Sequence, residues 1–262
     1  MKLFKRIYIK AYYFQLNQKL KPLRSTSVLP DKKNLFIYFD YEREFGAGFD
    51  CIRDEQVLHI LDLLDEFNIK TTWFTVGRIF EKYKESINQI LSRGHEIGSH
   101  TYGHIVPFKS SSKDLKKDFR KYNQFSSAEI PIHGFHAPEG MWSKSSLKEL
   151  FDNNYIYQVT GVQKNENYMP GFYKKNKDKL IYRLVTAGDD WAMYKNQHDS
   201  QEVKKFFLQL IEKIPNGGVG GVGFHPWVIH SDKKILDGFK LFLKSITSDH
   251  QISIKRADSY IN

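Results

Sequence analysis

The chain has 262 residues, of which 40% are hydrophobic and 27% charged, a composition typical of a globular protein. Residues 1–33 contain nine Lys and Arg against one Asp, which places +8 of the formal net charge of +10 in this segment and leaves +2 for the remaining residues. The main part of the chain therefore lacks the basic surface of a nucleic-acid enzyme, and its single cysteine, Cys51, excludes a disulfide within the chain.

The first predicted element is an amphipathic helix in a basic, aromatic arm, residues 1–33. Two faces are indicated by the apolar residues Leu3, Ile7, Ala11 and Phe14 and by the basic residues Lys2, Arg6 and Lys10. This helix could lie on an anionic membrane surface through residues 1–20, or pack its apolar face on the main domain. The segment from Pro22 to Pro30 predicts a linker.

No segment has the pattern of a signal peptide, and none reaches the roughly 18 consecutive apolar residues of a transmembrane helix. We therefore expect a cytoplasmic protein, with peripheral association to the inner membrane as an extension of the membrane-surface interpretation.

Residues 34–262 alternate short apolar runs with helical patterns. Strands are predicted at 35–39, 71–76, 96–99, 133–137, 155–160, 180–186, 218–224 and 252–254, and helices at 54–67, 80–92, 113–125, 145–152, 200–213 and 233–246. Such alternation predicts parallel strands joined by right-handed crossovers. We expect one α/β domain closed as a barrel or near-barrel, with reactive residues at the carboxyl ends of its strands.

Acidic and histidine side chains follow five of these strands. They are Asp40 and Glu42, His100 and His104, His136, Asp189 and Asp190, and His225. His100 and His104 have the four-residue spacing that lets two imidazoles reach one ion, although two structural histidines would explain the pair alone equally well. A carboxylate from Phe39–Glu42 would complete a set that leaves an open position on a divalent cation.

The remaining groups suit hydrolysis of an amide or ester. The second acid of Phe39–Glu42 can take a proton from water, and His225 can protonate the leaving amine. Asp190 or Asp189 can hold His225 in the right tautomer. A backbone N–H in the segment from Tyr102 to His104 would stabilise the oxyanion together with the metal.

Five segments, in this order, resemble the polysaccharide deacetylase family, the NodB-homology domain of carbohydrate esterase family 4. They are Phe39–Glu42, Ser99–His104, Gly134–Gly140, Asp189–Trp191 and Gly223–Trp227. The resemblance covers roughly residues 34–258. It implies a distorted (β/α)7 barrel and one divalent metal ion, zinc or alternatively cobalt, nickel or manganese.

The resemblance also implies roles for individual residues. Asp40 would be the general base and His225 the general acid, oriented by Asp190 or Asp189. The implied metal ligands are Glu42, His100 and His104, and the implied walls of the acetyl pocket are Trp191 and Phe224. Three further residues are candidate substrate contacts: Tyr102, Trp227 and Glu139. For Trp227, packing in the core is the alternative.

Two positions depart from the family pattern. Asp-x-Glu replaces the usual adjacent pair of aspartates, a variant of branches that act on small or lipid-linked sugars and on other C–N bonds. His136 stands where the family has an arginine that pairs with the base, and a neutral imidazole cannot hold a carboxylate as an always-charged guanidinium does.

The predicted function is removal of an N-acetyl group from a glycan or lipid-linked saccharide with release of acetate. Asp-x-Glu motivates an alternative, a deformylase or other hydrolase of a non-peptide C–N bond. His136 motivates a second alternative, an inactive glycan-binding barrel.

Overall fold

The computed structural model describes residues 2–23, 27–45, 52–162, 168–175, 179–194 and 197–261, with the backbone alone for residues 2–7; Cys51 lies outside these ranges. The strands of the described residues are β1 (Lys21–Pro22), β2 (Lys33–Tyr41), β3 (Thr72–Thr75), β4 (Glu96–Ser99), β5 (Gly134–His136), β6 (Tyr157–Gly161), β7 (Gly171–Lys174), β8 (Leu180–Asp189), β9 (Val219–Phe224) and β10 (Ile252–Ile254). Their α-helices are α1 (Lys2–Asn17), α2 (Asp54–Glu66), α3 (Arg78–Lys82), α4 (Lys84–Ser92), α5 (Ser112–Tyr122), α6 (Lys144–Asp152), α7 (Ser200–Glu212), α8 (Pro226–Ile229) and α9 (Lys233–Ser248).

Seven parallel strands within the described residues close into a barrel. Their order around the ring is β2-β3-β4-β5-β6-β8-β9, and β9 pairs with both β8 and β2. The ring is irregular at the β8–β9 pair, where the register shifts between Thr186 and Gly188. The predicted distorted (β/α)7 barrel is therefore confirmed.

The alternation along β2 separates two hydrophobic layers. Leu35, Ile37 and Phe39 belong to the large core that includes the surrounding helices, whereas Phe36 and Tyr38 belong to a smaller core shared by strands β3, β6, β8 and β9. A strand that is buried on both faces consists of consecutive apolar residues, and this is why the sequence predicts β2.

Glycines in β9 make room for the aromatic rings of β2. A Cβ atom on Gly221 would lie 2.4 Å from the Phe36 ring, and one on Gly223 would lie 2.4 Å from the Tyr38 ring. Both distances are shorter than any side chain tolerates, so the glycine-rich composition of this strand follows from the packing opposite it.

The strands outside the barrel differ from the predictions in two respects. β10 runs parallel to β2, as an eighth strand would, but β7 pairs antiparallel with β8 and was not predicted. Pro22, predicted as the start of the linker, instead forms β1 together with Lys21 and pairs with β7. The predicted helix 80–92 is divided at Tyr83, where φ is −130° and the helical backbone is interrupted.

Helix α1 packs on loops that follow β4 and β5. The Tyr13 hydroxyl donates to the carbonyl oxygen of Trp142 at 2.8 Å, and the Tyr12 hydroxyl accepts from the backbone N–H of Lys144 at 2.8 Å. Tyr8, whose ring stacks on Tyr12, and Phe14 are 63% and 61% exposed. Among the described helices, none is both long and apolar enough to cross a bilayer.

Candidate active site

A cavity of about 740 Å³ lies at the carboxyl ends of the barrel strands. The predicted site residues that line it are Asp40, Glu42, His100, His104, His136, Glu139, Asp189, Trp191 and His225. Closure of the ring brings these side chains together from the ends of β2, β4, β5, β8 and β9. Sequence reasoning did not select the lining contributed by β6 and by the irregular segment of β8, Gly161 and Thr186–Gly188.

Glu42, His100 and His104 form one cluster of potential metal ligands. Glu42 Oε1 lies 3.0 Å from His104 Nε2 and 3.6 Å from His100 Nε2, and one ligand atom from each residue lies within 4.8 Å of the others. Two imidazole nitrogens and one carboxylate oxygen suit zinc and related divalent ions. The residues present therefore fit the metal that the resemblance implies.

A hydrogen bond from His100 discriminates between two overlapping clusters. Asp40, His100 and His136 also bring ligand atoms together, and there His100 approaches Asp40 through Nδ1, at 3.4 Å. The same Nδ1 donates to the carbonyl oxygen of His136 at 2.8 Å, so it carries the proton. This bond leaves Nε2 as the ligand atom and favours the cluster with Glu42 and His104.

The loop from His100 to His104, which carries two of the potential ligands and is called the metal-ligand loop below, has an unusual backbone conformation. Thr101 and His104 have φ values of 63° and 55°, in the left-handed region that β-branched residues such as threonine rarely enter. Asp118 of α5 holds this loop by accepting the backbone N–H groups of Tyr102 at 2.7 Å and Gly103 at 2.9 Å. These two N–H groups are thus engaged by Asp118, which leaves the backbone N–H of His104 as the remaining candidate oxyanion donor in the segment from Tyr102 to His104.

Asp118 was missed in the sequence, although one signal pointed to it. With Leu115, Phe119 and Tyr122 it forms the buried stripe of α5 at helical spacing. A carboxylate in an apolar stripe normally has a specific partner.

The side chain of Tyr102, a predicted substrate contact, is not part of the cavity lining, and its hydroxyl donates to Glu81 at 3.0 Å.

Asp40 and His136 form a buried pair. His136 Nδ1 lies 2.8 Å from Oδ1 and 3.1 Å from Oδ2 of Asp40. Burial by itself would raise the pKa of the Asp40 carboxyl, but His136, followed by His100 and His225, lowers the pKa below its ordinary value. Asp40 is therefore kept ionised and able to accept a proton.

His225 is held by Asp190 and not by Asp189. Asp190 is fully buried, and it accepts from His225 Nδ1 at 2.6 Å and from the His225 backbone N–H at 2.8 Å. Burial favours the neutral ring, but Asp190 raises the pKa of His225 well above its ordinary value. Asp189 accepts the backbone N–H of Trp191 and faces the cavity.

His225 Nε2 faces the carboxylates across the cavity. It lies 3.9 Å from Asp40 Oδ2 and 3.9 Å from Glu42 Oε1. A proton acceptor and a proton donor thus stand on opposite sides of a small space beside the metal-ligand cluster.

The aromatic candidates occupy three different positions. Trp191 is 47% exposed and lies at the cavity rim, 6.1 Å from the His225 ring. Phe224 is fully buried between Phe39 and Phe239, because the alternation of β9 turns it to the helix layer, so its ring does not line the cavity. Trp227 lies beneath the site, and its indole N–H donates to Glu42 Oε2 at 3.1 Å.

Glu139 stands at the cavity rim in a left-handed conformation, with φ of 57°, and forms an ion pair with Lys109. The resulting contact connects the loop after β4 with the loop after β5.

The family model described as polysaccharide deacetylase matches residues 30–157, which include Asp40, Glu42, His100, His104 and His136. Over these 128 residues, just under half of its length, the chain is similar to the polysaccharide deacetylase family. The segments with Asp190 and His225 lie outside the matched residues, and their assignment rests on the barrel geometry.

Two curated relatives match shorter stretches. A peptidoglycan-N-acetylglucosamine deacetylase of Bacillus cereus is 33% identical over 66 residues, which is 25% of this chain and 31% of the relative. A chitooligosaccharide deacetylase of Sinorhizobium fredii is 25% identical over 91 residues, 34% of this chain and 42% of the relative. The chain thus spans less than half the length of these relatives.

Solved structures share the fold over almost the whole chain. A Mycobacterium smegmatis protein assigned to the polysaccharide deacetylases superposes with a TM-score of 0.72 at 18% identity, covering 91% of this chain and 92% of that one. PuuE allantoinase superposes with a TM-score of 0.67 at 14% identity, with the same coverage. At these identities the likeness shows the fold alone.

Proposed function

We propose that this chain is a metal-dependent hydrolase that removes the N-acetyl group of an amino sugar and releases acetate. The observation that carries the proposal is the position of Asp40 and His225 on opposite sides of the space beside Glu42, His100 and His104, with Oδ2 and Nε2 3.9 Å apart. Amide hydrolysis needs a proton acceptor for the attacking water and a proton donor for the leaving nitrogen at one carbon atom, and this pair supplies both.

The chain's own residues support the following division of work. Asp40 accepts a proton from a water molecule as the oxygen of that water bonds to the acetyl carbon. His225, kept protonated by Asp190, gives its Nε2 proton to the sugar nitrogen as the C–N bond breaks, leaving acetate and a free amine. A divalent ion held by Glu42, His100 and His104 would act as a Lewis acid on the acetyl carbonyl.

The named relatives support an N-acetylated saccharide as the substrate, because they are deacetylases of peptidoglycan N-acetylglucosamine and of chitooligosaccharides. The test measures acetate and free amine released from chitooligosaccharides and from an N-acetylglucosamine glycolipid, with zinc, cobalt, nickel or manganese added. Acetate release should stop with a chelator, return with metal, and be lost in Asp40→Asn. Asp237→Asn, an exposed carboxylate on α9 that pairs with Lys233, is the matched control.

The products distinguish the alternatives. If the protein releases formate from an N-formyl sugar or ammonia from a ureide, and releases no acetate from any glycan, it is a hydrolase of another C–N bond and not a deacetylase. Glycan binding without any product from metal-loaded protein would contradict hydrolysis and favour a glycan-binding barrel.

We also propose that α1 contacts an anionic membrane and brings the cavity to a lipid-linked saccharide. Helix α1 contains no acidic residue, exposes Tyr8 and Phe14, and packs beside the loops after β4 and β5. Aromatic and basic side chains on one helix favour the interface of an anionic bilayer.

The membrane proposal is tested by co-sedimentation with vesicles. Phosphatidylglycerol-containing vesicles should bind the protein and pure phosphatidylcholine vesicles should not. Tyr8→Ser combined with Phe14→Ser should weaken binding while acetate release from soluble oligosaccharides stays unchanged. Equal binding of this variant and the wild type would exclude α1 as the contact.

A further inference from the structure

We infer that Trp227 is a positioning residue of the metal site, which holds Glu42 so that a single carboxylate oxygen faces the two histidine ligands. The inference rests on the metal site of the proposed function. It concerns a residue that the sequence suggested as a substrate contact, but whose indole is 5% exposed and lies behind the site.

The two oxygens of Glu42 have different partners. Oε2 accepts the indole N–H of Trp227 at 3.1 Å. Oε1 lies 3.0 Å from Nε2 of His104 and 3.6 Å from Nε2 of His100. The Trp227 bond therefore fixes which oxygen is presented to the ligand cluster.

A glutamate needs this support more than an aspartate would. Its side chain has one more rotatable bond, and the terminal torsion of a glutamate has only broad preferences. Glu42 is buried, and a buried carboxylate oxygen without a donor is costly. An indole N–H is a donor only, so it satisfies this oxygen and cannot compete for the ion.

The indole of Trp227 is itself held in place. Its ring is packed edge-on by Tyr194 at 4.8 Å and by Trp191 at 5.9 Å, and it lies 5.8 Å from the His225 ring. Trp227 stands in the first turn of α8, directly after Pro226, and His225 precedes both. One short segment thus orients the general acid and a metal ligand.

The test is the metal affinity of the apoprotein, measured by competition with a chromophoric chelator. Trp227→Phe keeps an aromatic ring and removes the N–H, and zinc affinity should fall about 10–100-fold, as it does when a partner of a metal ligand is removed. The matched control is Trp73→Phe. Trp73 is likewise buried, and its N–H donates to Thr71 Oγ1 at 3.0 Å, away from the cavity. Zinc affinity should be unchanged in the control.

Two further measurements separate positioning from general destabilisation. With cobalt, the visible ligand-field spectrum of Trp227→Phe should differ from that of the wild type, whereas the spectrum of Trp73→Phe should not. In a Glu42→Gln background, Trp227→Phe should cost little additional affinity, because its effect passes through Glu42. If Trp227→Phe is poorly folded, Trp227→His, which keeps a ring N–H, replaces it and should retain more affinity than Trp227→Leu.

The outcomes distinguish this inference from the function it rests on. Wild-type zinc affinity and cobalt spectrum in a folded Trp227→Phe, or full additivity with Glu42→Gln, would overturn the role of Trp227 and leave the hydrolase intact. A wild-type protein that binds no divalent ion would contradict the proposed metal site itself.

Discussion

His136 Nδ1 contacts both carboxylate oxygens of Asp40, at 2.8 Å from Oδ1 and 3.1 Å from Oδ2. This imidazole stands at the position where the motif that the sequence resembles has an arginine, and it contacts Asp40 directly. The imidazole meets the carboxylate through one nitrogen, whereas a guanidinium offers a planar fork of several N–H donors.

Removal of His136 is predicted to move the acidic limb of the pH–rate profile. Because His136 lowers the pKa of Asp40 against burial, His136→Ala should raise that pKa, and activity should be lost at a higher pH as the solution is acidified. We expect kcat/KM for a chitooligosaccharide to fall roughly 100-fold with metal content unchanged. An acidic limb that stays in place would show that Asp40 is not the base.

Replacement of Asp190 is predicted to move the basic limb in the opposite direction. Asp190 raises the pKa of His225, and His225 must be protonated to act as an acid. Asp190→Asn should therefore move the loss of activity at high pH to lower pH and reduce kcat by about 10²–10⁴-fold. Asp189→Asn is the matched control, since Asp189 does not contact His225, and its basic limb should match the wild type.

Loss of Asp118 is predicted to loosen the metal-ligand loop. Asp118→Ala leaves the N–H groups of Tyr102 and Gly103 without their acceptor, at a cost of about 1–3 kcal/mol in the free energy of unfolding for each. Denaturant unfolding of the apoprotein and the zinc dissociation constant should both report the change. Asp114→Ala, on the exposed side of the same helix, should alter zinc affinity little.

The burial of His95 is predicted to make the free energy of unfolding fall in mild acid. Its Nδ1 accepts the backbone N–H of Thr71 at 3.0 Å, and burial lowers its pKa to about 4 from 6.5. As the pH falls, the His95 ring is protonated in the unfolded chain before it is protonated in the folded one. The stability that the neutral His95 provides is therefore complete above pH 6.5, and roughly 3 kcal/mol of the free energy of unfolding is lost as the pH falls towards 4. Unfolding measured across this range should be less pH-dependent in His95→Gln, and equal slopes would exclude this role.

The barrel was predictable because strands such as β2 and helices such as α5 carry their periodicity in local sequence. The same holds for the pair His100 and His104, whose spacing is local. The pairing of β1 with β7 was not predictable in this way, since it joins Lys21 and Pro22 to residues about 150 positions away.

Sequence alone determined the alternating fold, the five strand ends that carry reactive side chains, and the family motifs around them. Tertiary structure alone decided that Asp190 rather than Asp189 contacts His225, that Phe224 faces the helix layer, that Trp227 donates to Glu42, and that Asp118 holds the loop between His100 and His104. The reason is physical. Periodicity records which residues are buried, but a hydrogen bond is directional, and its partner is fixed only when the closed barrel brings separate strand ends to within about 3 Å of one another.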